Sequence, residues 1–503
     1  MNDHEFVAID RHDRELLAHV HPPDWVNPTP AALYDVVVIG AGTAGLVTAA
    51  GIAGLGLGLK VALVEKHLMG GDCLNGGCVP SKSLIRSATI ARAVRTSQEF
   101  GIVVPEFRID FPAVMTRLRQ IRAGISPHDS ASRLTNLGVD VFFGKATFTD
   151  RDCVQVHGAI LRGKRLVIAT GARANIPDIA GLKESDYLTN ETIFNLTELP
   201  VRLAIIGGGP IGCEMAQAFA RLGSQVFVFH KKDRLLDREE EAVSQVLSAQ
   251  FKSEGINLFF QTQIDKIELK DKTKVIHFSC QGNNQSLVVE QILIATGRCP
   301  NLEGLNLDRA GVAYNDRGIV VNDYLQTSNP KIYACGDVCL DWKFTHAADN
   351  AARIVIKNML FSPLGLGRSR LSSLVMPWVT FTDPEVAHVG ITGKGQCISI
   401  PLDRVDRAIT DSHTPGFIQI WYDHPRDRIL GATIVAPHAG EMISEITLAI
   451  GAKLGLNTLA TVIHAYPTLA DGIKKAADSY RRTLLTPRSQ ALLRLLAKLT
   501  GLT

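Results

Sequence analysis

The chain has 503 residues, with 53 lysines and arginines against 50 aspartates and glutamates, a net charge of +3 and nine cysteines. That length holds roughly two to four domains with ample core. So small a net charge leaves no basic stripe for a nucleic acid. Nine cysteines are too few for a disulfide scaffold, so most are expected to remain thiols in a reducing cytoplasm.

Residues 1–33 open with MNDHEFVAIDRHDRELLAHVH, which alternates acids and bases without the apolar stretch of a secretory signal. They close on a linker containing Pro22, Pro23, Pro28 and Pro30, and read as a mobile extension. Residues 36–59 are uncharged over 24 positions, long enough to cross a bilayer. Their seven glycines, and the β-branched run at Val36, Val37, Val38 and Ile39, point instead to a buried strand–turn–helix.

That strand enters G-x-G-x-x-G at Gly40, Gly42 and Gly45. Gly40 permits the tight turn, Gly42 lets backbone approach a pyrophosphate, and Gly45 allows close helix–strand packing. Twenty residues past Gly45, the next strand ends in Glu65, placed to accept from ribose hydroxyls. Residues 54–59, GLGLGL, lengthen the following turn and predict a local bulge without functional effect.

The most informative segment is GGDCLNGGCVPSK at residues 70–82. Cys73 and Cys78, bracketed by glycines, read as a redox-active dithiol. A helix starting near Cys78 would direct N–H groups at its sulfur and favour the thiolate. The alternative, a structural disulfide, gains little from closing so short a loop.

LAIIGGGPIGCEMAQAFARLGSQVFVFH repeats the nucleotide pattern at Gly207, Gly209 and Gly212. Its second strand ends in His230, Lys231 and Lys232 where the first ends in Glu65. An acid there repels a ribose 2′-phosphate and a cationic cluster attracts one, which favours NADPH over NADH; the alternative for the lysines is an ordinary solvated turn. Two dinucleotide folds with a dithiol after the first imply an electron relay, from nicotinamide to flavin to sulfur.

With these motifs, IAT-Gly171, LIATGRCPN (residues 293–301) and IYACGDV (residues 332–338), the chain resembles the pyridine nucleotide–disulfide oxidoreductases from about Tyr34 to Tyr480. The resemblance implies FAD on the first fold, held by Glu65, the backbone of Ala146, Thr170, Gly171 and Asp337, with a helix opening near Thr345 and His346 beneath the flavin. It implies Cys78 as the flavin-proximal sulfur and Cys73 as the interchange thiol. Lys82 would place an ammonium near the flavin, paired with Glu214. Gly297 and Arg298 would lie on the nucleotide path. Cys335 and Cys339 are expected to be packing residues.

Near the C-terminus, IHAYPTLAD (residues 463–471) matches the segment that completes the partner subunit's site in this family, so a homodimer is implied. Where disulfide reductases carry His and Glu, this chain has Tyr466 and Asp471. A phenol with an ordinary pKa of about 10 exchanges protons poorly with a thiol at neutral pH. His464, two residues earlier, is a candidate substitute or a structural hydrogen-bonding residue. A tyrosine here resembles mercuric reductases, where the acceptor is a soft metal bound by thiolates. The tail LLTPRSQALLRLLAKLTGLT has none of that branch's C-terminal cysteines. Asp72, where the family commonly has threonine, puts an acid beside Cys73 and is expected to raise its pKa.

The expected fold is α/β: an N-terminal extension (1–33), two Rossmann-like dinucleotide-binding domains for FAD (34–171) and NAD(P) (172–297), a central segment completing the FAD site (298–368), a C-terminal α+β dimerisation domain (369–484) and an amphipathic basic tail (485–503). The tail is expected to pack on the dimer and not on a membrane. The expected function is a cytoplasmic, FAD-dependent NAD(P)H oxidoreductase. It would pass electrons through Cys73 and Cys78 to a thiol-reactive or metal–thiolate acceptor, mercuric reductase-like, without a resident metal. The alternatives are a dihydrolipoamide dehydrogenase or other small-disulfide reductase and, outside enzymes, a flavin-binding redox sensor or scaffold.

Overall fold

The structure is a computed structural model describing residues 8–502. These form two units, one running to Asp233 and resuming over Glu254–Leu374, the other made of Arg234–Ser253 and the chain from Val375.

In the first unit, helix α1 (Arg11–Val20) is capped by Asp10, whose carboxylate accepts from the N–H groups of His12 and Asp13. Strand β1 (Tyr34–Ile39), helix α2 (Thr43–Ala53) and strand β2 (Val61–Glu65) follow. Val36 to Ile39 are buried on both faces, as the uninterrupted β-branched run requires of a central parallel strand. Three helices come next: α3 (Gly71–Asn75), α4 (Cys78–Arg95) and α5 (Phe111–Ile125). Strands β3 (Val139–Phe143), β4 (Thr147–Asp150), β5 (Cys153–Val156) and β6 (Ala159–Ile168) complete the consecutive part of the sheet. The order is β3-β2-β1-β6-β5-β4, with strand Ile332–Ala334 added in parallel beside β6.

A second parallel sheet takes strands Asn257–Phe259, Gln225–Phe229, Arg202–Ile206 and Gln291–Ile294 in that order. Helix Pro210–Leu222 springs from its glycine turn. The three-stranded antiparallel sheet Thr262–Lys270, Thr273–Cys280 and Asn283–Val289 is inserted before the last strand.

The expected mobile arm is not found over residues 8–33. Helix α1 packs on α5, buries Leu16 and Val20, and places Asp10 2.6 Å from Arg119 and Asp13 2.7 Å from Arg122. Trp25 donates to the carbonyl of Val141 (3.2 Å), and Asn27 both donates to and accepts from the backbone of Phe143 (2.8 Å each). The linker is thereby fastened to β3. Acids that look solvated in the sequence are the partners of buried arginines on α5.

In the second unit, a five-stranded antiparallel sheet covers Pro377–Thr380, Glu385–Gly390, Arg428–Ala436, Phe417–Asp423 and Gln396–Pro401 in spatial order. Its core joins Ile418, Ile434, Ile446, Ile473 and Tyr480, the last three from helices Ala439–Gly451 and Asp471–Thr483. Helix Glu241–Ser253 groups with this unit. A buried knot here joins Glu239 to His388 (3.1 Å) and Trp378 (2.7 Å), and Glu240 to Thr433 (3.0 Å). Helix Pro487–Leu499 buries none of its residues. Among the described residues no helix is long and apolar enough to cross a membrane.

Candidate active site

The redox segment folds as two short steps. Helix α3 stops after Asn75, and Gly76 and Gly77 turn the chain so that Cys78 becomes the first residue of α4. Only glycine allows this turn: a Cβ on Gly77 would sit 2.7 Å from the carbonyl oxygen of Asp72, and one on Gly76 2.9 Å from that of Asn190. Both cysteines are free thiols, Cys73 half-buried and Cys78 exposed.

Their ionisation is split. The hydrogen bond from Cys73 lowers Cys78 from 9.0 to about 6, with help from the Thr345 hydroxyl and the Lys82 charge. The same bond raises Cys73, and burial and the nearby Asp129 carboxylate add to the rise. Cys78 is thus the thiolate at neutral pH and Cys73 keeps its proton. Thr345 Oγ1 lies 3.3 Å from Cys78 Sγ, in the first turn of helix Thr345–Leu360, where the helix N-terminus favours negative charge.

Lys82, one turn along α4, donates from Nζ to Glu214 Oε2 at 2.8 Å. Glu214 is buried on helix Pro210–Leu222. The second nucleotide fold therefore supplies the counter-charge for a lysine of the first.

Asp72 behaves differently from the expectation. Arg298 binds it, donates to the carbonyl of Ala172 (2.7 Å), and brings Nε within 3.3 Å of Asp337. Burial opposes the charge on Arg298, but Asp72 and Asp337 outweigh it and raise its pKa. Asp337 is raised by burial, with Arg298 and Lys343 pulling the other way. The acid that acts on Cys73 is Asp129, itself raised by burial. Sequence reasoning missed it, because an acid 56 residues after Cys73 carries no motif. Burial raises the thiol pKa of both Cys335 and Cys339.

The first glycine turn fits a dinucleotide. Gly40 has φ +100°, and a Cβ there would lie 2.4 Å from the carbonyl oxygen of Ala169; one on Gly45 would lie 1.7 Å from that of Gly40. A Cβ on Gly42 would lie 3.7 Å from Gly71 Cα, in ordinary contact, and one on Gly71 only 2.7 Å from Gly42 Cα, so the turn is packed closely against the start of the redox segment. Glu65 is buried, with Oε2 accepting from Ala41 N–H (2.6 Å) and Oε1 from His67 N–H (2.8 Å). Thr170 donates to the Asn301 carbonyl (2.8 Å), next to Gly171 at φ +69°. Ala146 is half-buried against the core of the first sheet, which includes Val64 and Phe142, and His346 stacks on Phe344 with centroids 5.4 Å apart.

The second turn repeats this geometry at Gly207 and Gly212, whose Cβ atoms would lie 2.2 and 2.0 Å from carbonyl oxygens, while Gly209 is open. His230 Nδ1 accepts from Gly208 N–H at 3.0 Å. It seals the second turn as Glu65 seals the first, and Lys231 and Lys232 are exposed beside it. Gly297, at φ +111°, leads into Arg298.

In the second unit, Tyr466 is 71% exposed and donates to Asp406 Oδ2 at 2.8 Å. That bond raises the phenol above its ordinary value. Asp471 pairs with Lys475 (3.0 Å). His464 has Nε2 2.9 Å from Glu445 and Nδ1 3.2 Å from the Val462 carbonyl, so both ring nitrogens are engaged within its own unit.

Comparison with known proteins agrees with this arrangement. The family described as pyridine nucleotide-disulphide oxidoreductase matches residues 34–352, and its dimerisation domain matches residues 376–477. A mercuric reductase of Lysinibacillus sphaericus is 34% identical over 460 residues, covering 90% of this chain and 83% of that protein. A dihydrolipoyl dehydrogenase of Chlamydia muridarum is 34% identical over 456 residues, covering 87% and 95%. Among solved structures, the Cu(II) complex of the HOCl-induced flavoprotein disulfide reductase RclA from Escherichia coli superposes with a TM-score of 0.79 at 26% identity, covering 91% of this chain and 100% of that one. The chain belongs to the pyridine nucleotide-disulphide oxidoreductase family and is a flavoprotein disulfide oxidoreductase.

Proposed function

We propose that this enzyme takes electrons from NADPH and passes them through Cys73 and Cys78 to a thiol-reactive acceptor, with a soft metal ion held by thiolates as the substrate class. The observation that carries the reading is the placement of Cys78 at the first turn of α4, with Thr345 Oγ1 3.3 Å from its sulfur and Lys82 one turn along. These surroundings lower its pKa while that of Cys73 is raised. Bound FAD supplies two-electron exchange between nicotinamide and sulfur.

The chain's own residues divide the remaining work. Gly40, Gly42, Gly45, Glu65, Ala146, Thr170, Gly171, Asp337, Thr345 and His346 would hold the flavin nucleotide, and Lys82, fixed by Glu214, would offer it an ammonium. Gly207, Gly209, Gly212 and Gly297 would receive NADPH, with Lys231 and Lys232 on the 2′-phosphate and a turn sealed by His230 in place of a carboxylate. Arg298 holds Asp72 and Asp337, steadying the Cys73 segment against the flavin site. Cys73 meets the acceptor, and as the acceptor gains two electrons the thiolate–thiol pair closes to a disulfide with release of the one proton that Cys73 carried.

In the homodimer, Tyr466 and Asp471 would complete the site of the other subunit. A phenol raised by Asp406 cannot take a proton from a thiol near neutrality, so an acceptor that needs no proton returned suits it best. The mercuric reductases among the relatives and the neighbour solved with Cu(II) support this class.

Dihydrolipoamide dehydrogenase is the second reading, favoured by relatives at equal identity. Anaerobic NADPH titration of the purified holoprotein, followed by Hg(II)–thiol and Cu(II)–thiol complexes, quinones, lipoamide and glutathione disulfide, separates the two. Turnover with the metal complexes is expected, and vigorous NAD-linked lipoamide turnover reverses the assignment.

A further inference from the structure

Helix α3, which carries Cys73, is tied at its far end by a residue outside every motif. Arg122 of α5 donates from Nη1 to the carbonyl of Asn75, the last residue of α3 (2.9 Å), and from Nη2 to Asp13 Oδ1 of α1 (2.7 Å). The side chains of Arg122 and Asp13 are each 1% exposed. The Asn75 amide turns back to the carbonyls of Met69 (3.0 Å) and Gly71 (2.9 Å). Met69 N–H donates to the carbonyl of Val20, the last residue of α1 (3.1 Å), and the His21 ring meets the His67 carbonyl. The N-terminal helix thus touches the segment just before the redox pair and, through Arg122, the turn between the two cysteines.

A terminal helix carbonyl has no partner within its own helix, and a guanidinium supplies a charge-assisted donor for it. A guanidinium this deeply buried needs a carboxylate, which is what Asp13 provides. The companion pair Asp10–Arg119 (2.6 Å) joins the same two helices, yet Arg119 bonds to Asp10 and Thr116 and to no residue of the redox segment.

We infer that Asp13 and Arg122 are positioning residues for the redox pair: through the carbonyl of Asn75 they set where Cys73 lies against Cys78. Without Arg122 that carbonyl must find another donor and α3 re-seats, carrying Cys73 two residues away. The thiol–thiol hydrogen bond is directional, so a re-seated Cys73 withdraws the bond that holds Cys78 as a thiolate. The inference rests on Cys73 and Cys78 being the redox pair and is independent of the acceptor.

The test is iodoacetamide alkylation of the reduced holoprotein between pH 5 and 9, with Cys73 and Cys78 peptides read separately by mass spectrometry. Asp13→Asn and Arg122→Met are expected to move the Cys78 midpoint upward by about one pH unit, a tenfold change. Arg122→Lys is expected to restore part of it. The double variant Asp10→Asn/Arg119→Met should lower Tm and leave the midpoint unchanged. An Asp13→Asn protein that loses Tm with a wild-type midpoint, or a control that shifts as far, overturns the inference. If Arg122→Met does not accumulate folded, Asp13→Asn and Arg122→Lys decide. A wild-type Cys78 without a thiolate below pH 7 would instead refute the redox reading itself.

Discussion

Thr345 Oγ1 lies 3.3 Å from Cys78 Sγ, joining residues 267 positions apart. The hydroxyl lowers the thiol's pKa, and the sulfur faces the first turn of a 16-residue helix. Thr345→Val removes the bond while keeping the side chain's shape. A hydrogen bond to a charged group contributes about 1.5–3 kcal/mol, so the Cys78 midpoint should rise by about one unit. Thiolate absorbance followed against pH measures it, and an unchanged midpoint would mean the hydroxyl does not face the thiolate in solution.

Lys82 and Glu214 act on Cys78 with opposite sign, the ammonium lowering its pKa and the carboxylate raising it. Lys82→Met should therefore shift the Cys78 midpoint up and Glu214→Gln shift it down. The same alkylation profile reads both, and shifts of like sign would contradict the electrostatic account.

Asp129 raises Cys73 and is itself raised by burial. Asp129→Asn should lower the Cys73 pKa, so Cys73 alkylates several-fold faster at pH 8 while Cys78 changes less. The folded protein holds the Asp129 proton more tightly than the unfolded chain does. Stability from this group is therefore full below the unfolded pKa and is lost as pH rises through the folded one. Denaturant titrations across the acidic range should show that loss in wild type and not in Asp129→Asn.

His230 seals the second nucleotide turn where Glu65 seals the first. His230→Glu should move kcat/KM toward NADH over NADPH by about tenfold, the scale of one charge contact near a phosphate. Steady-state kinetics with both nucleotides checks it, and an unaltered ratio removes His230 from the selectivity determinants.

Gly45→Ala would force a Cβ to within 1.7 Å of the Gly40 carbonyl oxygen if nothing moved. Backbone cannot yield as a flexible side chain does, so the first turn must open. The expected product keeps far-UV circular dichroism but loses yellow colour on purification and several degrees of Tm. Full FAD content by absorbance would sink the expectation.

The parts of this site legible in the sequence are those in which one backbone segment presses on another. Gly40, Gly45, Gly207 and Gly212 tolerate no side chain, and the C-x4-C turn needs Gly76 and Gly77 for the same reason, so each leaves a local mark. Lys82–Glu214 was accessible only through family resemblance. Arg122, Asp13 and Asp129 were not legible. Each is a charged residue among other charged residues, and only tertiary packing separates a buried guanidinium from a solvated one. Asp72 was misread for the same reason, since its partner Arg298 lies 226 positions away.

Strand Ile332–Ala334 joins the first sheet late, and Thr345 later still. A ribosome adding about 5–20 residues per second takes roughly 13 to 50 s to travel from Cys78 to Thr345. Through that interval the nascent chain exposes both reactive sulfurs without the hydroxyl or helix that later govern them, while Cys153, Cys213, Cys280, Cys299, Cys335 and Cys339 emerge one after another. Biosynthesis is thus the stage at which this protein is most open to wrong crosslinks, and its yield under oxidising growth should depend on how fast translation reaches residue 345.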